Sequence, residues 1–296
     1  MPTFTIIIPT YNCAYYLKDA LKSLDNLTYE KSKIEVVIVD DGSIDNTDLV
    51  VDDFVMQSSL KVKFFNKKNG NWGSVINYVK QNRLATGDYI TVLDADDTLH
   101  PEVLNRVAKV KNNYDLIVCD FVKQTKKFSF LIHVYPHYMK EPKTKLQAQT
   151  PFCPPLGKFL KKELFYALPD LKENIPYQDA LFTGYAIDYA HSVRHINQSA
   201  GVYNYKRIGN SMSLPWPGKR YDIEMGICKD LLKLDAQEIV AIHIMRNKFR
   251  KLLKDNSEYF VIKRNFNFSF FPLATRWIMW LIYWTTLRRY FRIEKN

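Results

Sequence analysis

Short runs of β-branched and aromatic residues alternate with helical patterns over the first 119 residues. Phe4–Ile8, Ile34–Val39, Val62–Phe65, Tyr89–Leu93 and Leu116–Cys119 read as strands. Several are apolar on both faces, as expected of strands sandwiched between helices. Between the first two, Leu17, Ala20, Leu21 and Leu24 recur at helical spacing within Tyr15–Leu24; Asp45–Met56 and Trp72–Leu84 also read as helices. This alternation predicts an α/β fold with a mostly parallel, doubly wound sheet flanked by helices. The stretch Lys123–Met212 is less regular and rich in proline (Pro136, Pro151, Pro154, Pro155, Pro169, Pro176), and is expected to form loops lining a cleft. From about Arg220 the pattern is helical and increasingly basic.

The chemistry-bearing residues stand where predicted strands end. Ile34–Val39 runs into Asp40-Asp41-Gly42-Ser43, and Tyr89–Leu93 runs into Asp94-Ala95-Asp96-Asp97. Ligands of open α/β sheets bind outside the carboxyl ends of strands, so both acidic clusters point at one crevice. With no Arg or Lys close by in sequence, such carboxylates are expected to repel one another. A hard divalent cation, Mn2+ or Mg2+, relieves that repulsion and in turn neutralises a diphosphate. A structural alternative stands beside each cluster. Asp-Asp-Gly-Ser also suits a capped turn, and Asp94-x-Asp96-Asp97 before Thr98 and Pro101 suits the start of a helix.

The ordered set Ile8-Pro9-Thr10-Tyr11-Asn12, Val39-Asp40-Asp41-Gly42-Ser43, Asn69-Gly70-x-x-Gly73-x-x-x-Asn77, Gly87-Asp88-Tyr89-Ile90 and Leu93-Asp94-Ala95-Asp96-Asp97 resembles family 2 glycosyltransferases of the GT-A fold. Weaker matches come later in the chain, at Gly157-Lys158-Phe159, Gln178-Asp179 and Tyr203-x-Tyr205 leading to Asn210–Ser213. The resemblance implies a nucleotide-sugar-binding half at 1–110 and an acceptor-binding half at 111–218; the helical, basic pattern sets off a C-terminal region at 219–296. It implies that Pro9, Tyr11 and Asp41 hold the nucleotide base, with Asp41 accepting the uracil imide N–H. Gly70 and Gly73 would let backbone approach the donor, and Asn77 would help orient it. Asp94 and Asp96 form the DxD signature; Asp96, with Asp97, would bind the metal. Asp179 would be the catalytic base of an inverting transfer from a UDP-sugar to a hydroxyl. Family members usually carry Glu-Asp where this chain has Gln178-Asp179.

Other residues carry two readings each. Trp72 stacks on a ligand ring or fills the core. His133 and His137, with Pro136 between them, are loop residues with an acceptor contact as the alternative. His100 is a surface histidine or a neighbour of the acidic cluster, and Arg207 a phosphate ligand or a solvated arginine.

Net charge separates the ends of the chain. From Arg246 to Asn296, 12 Lys and Arg stand against 3 acidic residues, which is most of the overall +11. The apolar stretch Phe268–Leu287 holds Trp277, Trp280, Tyr283 and Trp284, with Arg276 inside it and Arg288, Arg289 and Arg292 after it. A helix of this kind lies in the headgroup layer of an anionic membrane, or packs on the catalytic body or a second copy as a homodimer. The membrane reading makes the acceptor a lipid-linked glycan or glycolipid in cell-surface polysaccharide synthesis. Cys13, Cys119, Cys153 and Cys228 form no CxxC pair, which fits a reducing, cytoplasmic setting at the inner face of the cell membrane. No nucleic-acid motif accompanies the basic charge, and no Gly-rich basic loop marks a nucleotidyltransferase. A noncatalytic GT-A-fold partner of another transferase remains as the alternative that Gln178 prompts.

Overall fold

The computed structural model describes residues 1–110, 114–125, 128–132 and 154–205, and beyond them 223, 226, 227, 229–231, 233 and 234. The chain divides into two compact units, Met1–Leu214 and Pro215–Asn296. The sheet and its flanking helices lie in the first unit. His133, His137, Arg207, the Asn210–Ser213 motif, Cys153, Cys228 and the Phe268–Leu287 segment lie outside the described residues.

The elements run β1 (Phe4–Thr10), α1 (Ala14–Asp25), a 3-10 turn (Lys31–Lys33), β2 (Ile34–Asp40), α2 (Thr47–Gln57), β3 (Lys61–Asn66), α3 (Asn71–Gln81) and β4 (Tyr89–Val92). They continue with β5 (Thr98–Leu99), α4 (Val103–Ala108), β6 (Leu116–Gln124), β7 (Ser129–Ile132), β8 (Lys158–Lys161), α5 (Lys162–Ala167), α6 (Asp179–Tyr189) and β9 (Val193–Asn204). Among the described residues the strands form one sheet in the order β3-β2-β1-β4-β8-β6-β9-β5, with β7 paired to β6. The sheet is parallel from β3 through β2 and β1 to β4. Beyond β4 it is mixed: β8 runs antiparallel to both β4 and β6, β9 parallel to β6, and β5 antiparallel to β9. The doubly wound parallel sheet expected from the alternation is therefore the first half of the molecule.

Strands β1, β2 and β4 are buried along their whole length, which is why they read as unbroken apolar runs. Edge strand β3 instead carries Lys61 and Lys63, charges that discourage further pairing. Lys63 Nζ reaches the buried Glu35 carboxylate of β2 at 2.7 Å. That carboxylate also accepts bonds from the Thr5 hydroxyl at 2.8 Å and from the Thr86 amide at 2.9 Å. Burial works to raise its pKa, and these donors together hold it below the ordinary range. Helix α1 buries Leu17, Ala20, Leu21 and Leu24, the stripe its spacing predicts. At the centre, the Phe4 ring meets Tyr29, Tyr89 and Phe159 at centroid distances of 5.1, 6.2 and 6.2 Å.

The expectation of irregular loops over Lys123–Met212 needs correcting, because β8, α5, α6 and β9 lie within it. Strand β8 has four residues, too few to show a period. Helix α6 buries Leu181, Phe182, Thr183, Gly184, Ala186 and Ile187, which leaves no clear polar face for a 3.6-residue pattern to mark.

Candidate active site

The site grows from the carboxyl ends of β1, β2 and β4. The Asp41 amide donates to Thr10 O at 2.9 Å, joining the first two ends. The turn alternative for Asp-Asp-Gly-Ser is met by Asp40, whose carboxylate accepts the Ser43 amide at 3.0 Å. Gly42 has φ +79°, and a Cβ there would stand 3.1 Å from Asn69 N. Asn12, also left-handed at φ 47°, accepts the Ile44 amide at 2.8 Å and so laces the loops after β1 and β2 together. Pro9, next to last in β1, lies in the buried layer, while Tyr11 just beyond the strand is half exposed.

Asp41 is buried and its Oδ1 is heavily engaged. It accepts from Lys67 Nζ at 2.7 Å, from the Gly70 amide at 3.0 Å and from Ser74 Oγ at 3.4 Å. The expectation of acidic clusters without cationic neighbours therefore fails at Asp41. The register of β3 on β2 explains the pairing: Asn66 lies opposite Asp40, so the next residue, Lys67, emerges beside Asp41. Gly70 is closely confined, since a Cβ there would meet Ser74 Oγ at 2.6 Å.

The second cluster keeps its acidic character. Asp94, Asp96 and Asp97 each bring a carboxylate oxygen within 4.8 Å of the others, with Asp97 buried and the other two partly so. The segment forms a turn, with the Asp97 amide donating to Asp94 O at 2.9 Å, and leads into β5; α4 starts only at Val103. Asn204, at the end of β9, donates its amide N–H to Asp97 Oδ1 at 2.8 Å and its side-chain Nδ2 to Asp96 O at 2.5 Å. Trp72 Nε1 donates to Asp94 Oδ1 at 2.8 Å, and its ring meets Phe182 edge-on at 5.6 Å. The three clustered carboxylates are hard oxygen donors of the type that Mn2+ or Mg2+ takes, so this set fits such an ion.

Asp179 opens α6. Burial raises its pKa, opposed by hydrogen bonds from the Ala180 amide and its own amide and by the charge of Lys158. Tyr203 shows how near this carboxylate is to the acidic cluster. Its hydroxyl pKa is pushed up by burial and then by the charges of Asp179, Asp97, Asp94 and Asp96. The charges of three carboxylates from the turn after β4 and one from α6 thus all act on one tyrosine.

The segment ahead of Asp179 is fastened to α3. Asn77 accepts the Leu171 amide at 2.9 Å and donates to Leu171 O at 2.8 Å, a reciprocal clamp. Gly73 lies against the same segment, where a Cβ would stand 3.0 Å from both Leu171 Cβ and Lys172 O. The Asn174 amide donates to Gly70 O at 2.7 Å. Buried Gln178 accepts the Lys172 amide at 3.2 Å, closing the loop on itself. Asn174 and Tyr177 both adopt left-handed backbone, at φ 57° and 66°, strain of the kind that surrounding contacts must hold in place.

Residues 5–168 match the model of Glycosyl transferase family 2. The chain belongs to this family. It is 51% identical over 292 residues to a Mycoplasma pneumoniae protein named uncharacterized glycosyltransferase MG060 homolog, covering 98% of each. It is 27% identical over 254 residues to poly(ribitol-phosphate) beta-N-acetylglucosaminyltransferase TarS of Staphylococcus aureus, covering 80% of this chain and 42% of that one. A TarS structure in complex with UDP-GlcNAc matches with a TM-score of 0.66 at 20% identity, over 97% of this chain and 80% of that one. Mannosyltransferase PcManGT from Pyrobaculum calidifontis, in complex with GDP-Man and Mn2+, matches with a TM-score of 0.57 at 16% identity, over 98% and 84%. The fold is the GT-A architecture of family 2 glycosyltransferases, a nucleotide-sugar donor fold.

Lys67, Asn204 and the indole of Trp72 shape this family 2 site, yet no sequence pattern assigns them a role in holding the carboxylates. Lys67 is within reach of a register argument; Asn204 meets Asp96 and Asp97 through a pairing more than 100 residues apart, which no local pattern signals. His100 is neither surface-exposed nor turned to the cluster by the bonds it makes. It is partly buried, its Nδ1 accepts the Glu102 amide at 3.1 Å, and burial and Arg106 lower its pKa. Buried Cys119 has its thiol pushed up to about 12 by burial, as suits an inert core cysteine. No helix among the described residues is long and apolar enough to cross a membrane.

Proposed function

We propose that this protein is an inverting glycosyltransferase that moves a hexosyl or N-acetylhexosaminyl group from a UDP-sugar to a hydroxyl of a glycan or lipid-linked acceptor. One observation carries the reading: the first turn of α3 meets three parts at once, with the Gly70 amide on Asp41, the Trp72 indole on Asp94 and the Trp72 ring on Phe182 of the helix that Asp179 opens. Pro9, Tyr11 and Asp41 bind the base, with Lys67 and the Gly70 amide fixing the Asp41 carboxylate for that contact. Gly70 and Gly73 serve the donor by setting the backbone around it, and Asn77 acts at one remove, holding through Leu171 the segment that leads to Asp179. Asp94 contacts the donor, and Asp96 and Asp97 hold the metal. A bound Mn2+ or Mg2+ would supply Lewis-acid stabilisation of a diphosphate leaving group.

Asp179 takes the proton of the acceptor hydroxyl as its oxygen bonds to the anomeric carbon and the bond to the diphosphate breaks toward the diphosphate oxygen. Burial, by raising the pKa of this carboxyl, strengthens it as a base. One displacement inverts the anomeric configuration. The UDP-GlcNAc complex of TarS supports the choice of UDP, and the Mn2+ complex of PcManGT supports the choice of metal. The carboxylates kept at Asp94, Asp96 and Asp179 count against the noncatalytic alternative that Gln178 prompts. The apolar Phe268–Leu287 stretch, with the arginines that follow it, would hold the enzyme against anionic lipid on the cytoplasmic face, where lipid-linked acceptors reside.

A panel of nucleotide sugars with and without Mn2+, read by thermal shift and by donor hydrolysis, tests the proposal. The expected result is stabilisation by one UDP-sugar plus Mn2+, with hydrolysis lost in Asp96→Ala. Silence across the panel, or Mn2+-independent turnover in Asp96→Ala, would overturn it.

A further inference from the structure

Trp72 touches two functional parts at once. Its indole N–H holds Asp94 Oδ1 at 2.8 Å, and its ring meets Phe182 of α6 at 5.6 Å, three residues into the helix that Asp179 opens. The same turn of α3 carries the Gly70 amide on Asp41 and packs Gly73 beside Gln178. A phenylalanine or leucine at 72 would fill the space against Phe182. Neither would supply an N–H, and a tryptophan indole is a donor only, suited to an ionised carboxylate.

We propose that Trp72 is a positioning residue for the donor. Its N–H sets the rotamer of Asp94, and its ring keys that carboxylate to the helix of the catalytic base. This rests on the donor reading above and adds the residue that keeps the two carboxylates in register. With the N–H gone, Asp94 loses a bond that orients its carboxylate and donor binding weakens, while the ring contact and the fold persist. With the ring contact gone but the N–H kept, donor binding persists and the base loses its alignment.

The test uses the full chain with Mn2+ and UDP as probe, measured by calorimetry, together with turnover of the UDP-sugar that the panel selects. Trp72→Phe is expected to weaken Mn2+–UDP binding about tenfold, the scale of a lost bond to a charged acceptor. Phe182→Leu is expected to leave that binding within about twofold and to lower turnover about tenfold, as a misplaced reacting group does. In an Asp94→Asn background, Trp72→Phe should add less than about twofold to the binding loss, because one residue acts through the other. Unchanged UDP binding in Trp72→Phe, or a full additional loss in the Asp94→Asn background, overturns the inference. So does weakened UDP binding in Phe182→Leu equal to that in Trp72→Phe, which would mark plain packing. Wild-type protein that ignores Mn2+–UDP overturns the donor reading itself and the inference with it, a result separable from a defect confined to the variants.

Discussion

The two halves of the sheet hold their functional groups in different ways. In the parallel half, Asp41 and Asp94 come directly after β2 and β4, and strand register alone sets these two ends on either side of β1. In the mixed half, Asp179 owes its place to contacts far apart in sequence: the Asn77–Leu171 clamp, the Gly73 approach and the Gly70–Asn174 bond. The first arrangement is a consequence of topology, which ligand sites at strand ends share across open α/β sheets. The second has to be built contact by contact. On the proposed reading, donor chemistry thus rests on the frame that strand topology sets, and acceptor chemistry on a loop and helix fastened to it.

Removing one carboxylate from each half gives the largest expected effect. Asp179→Asn should cut turnover about 100- to 10,000-fold, the range for loss of a general base, while Mn2+–UDP binding stays near wild type. Asp96→Ala should lose Mn2+-dependent UDP binding as well as turnover. Calorimetry and product assays on both variants would separate the halves, and equal defects in binding would merge them. The same Asp179 variant carries a second sign. The folded state raises the pKa of this carboxyl, so folded protein binds its proton more tightly than unfolded protein does. The resulting stability is present at low pH and is lost as pH rises through the folded pKa. Asp179→Asn should therefore raise Tm at neutral pH while abolishing activity, and a lowered Tm would contradict the assignment of a buried, costly base.

The clamp is the next largest lever. Asn77→Ala leaves the Leu171 amide and carbonyl without the partners that now meet them at 2.9 and 2.8 Å. Orphaning two such groups costs about 2–6 kcal/mol, a fall in Tm of at least about 4 °C for a unit of this size. Kinetically, turnover should fall more than donor affinity, because the segment released leads to Asp179. A variant that loses donor affinity with turnover intact would place Asn77 on the donor itself.

Legibility in the sequence divides along the same line. Strands β1, β2 and β4, the α1 stripe and the ends bearing Asp41 and Asp94 are readable because burial on both faces and helical spacing leave local patterns. Lys67 beside Asp41 goes unread although it is a register consequence, since register must be assumed before it can be used. Helix α6 is hidden by its own burial, and Asn204 by a partner more than 100 residues away. Motif resemblance reaches Asp179 without any local signal of its support. The tie between Asp94 and Phe182 through Trp72 exists only once the chain is folded.

Gln178 offers the finest test of the comparison, with the smallest expected effect. Its side-chain oxygen accepts the Lys172 amide in a buried position next to the base, and a glutamate carboxylate can accept the same bond. Gln178→Glu should therefore fold with little strain and keep Mn2+–UDP binding, since the donor half is untouched. It adds a second negative charge beside Asp179, and like charges raise each other's proton affinity. The acid limb of the turnover–pH profile should move upward, so that the variant loses activity on the acid side of the profile and recovers it as pH rises. Stability should respond in the same sense: more protons bound in the folded state means that the Tm deficit against wild type widens as pH rises. An unmoved acid limb would mean that residue 178 is electrostatically remote from the base, and that Asp179 is held by the loop without being tuned by it.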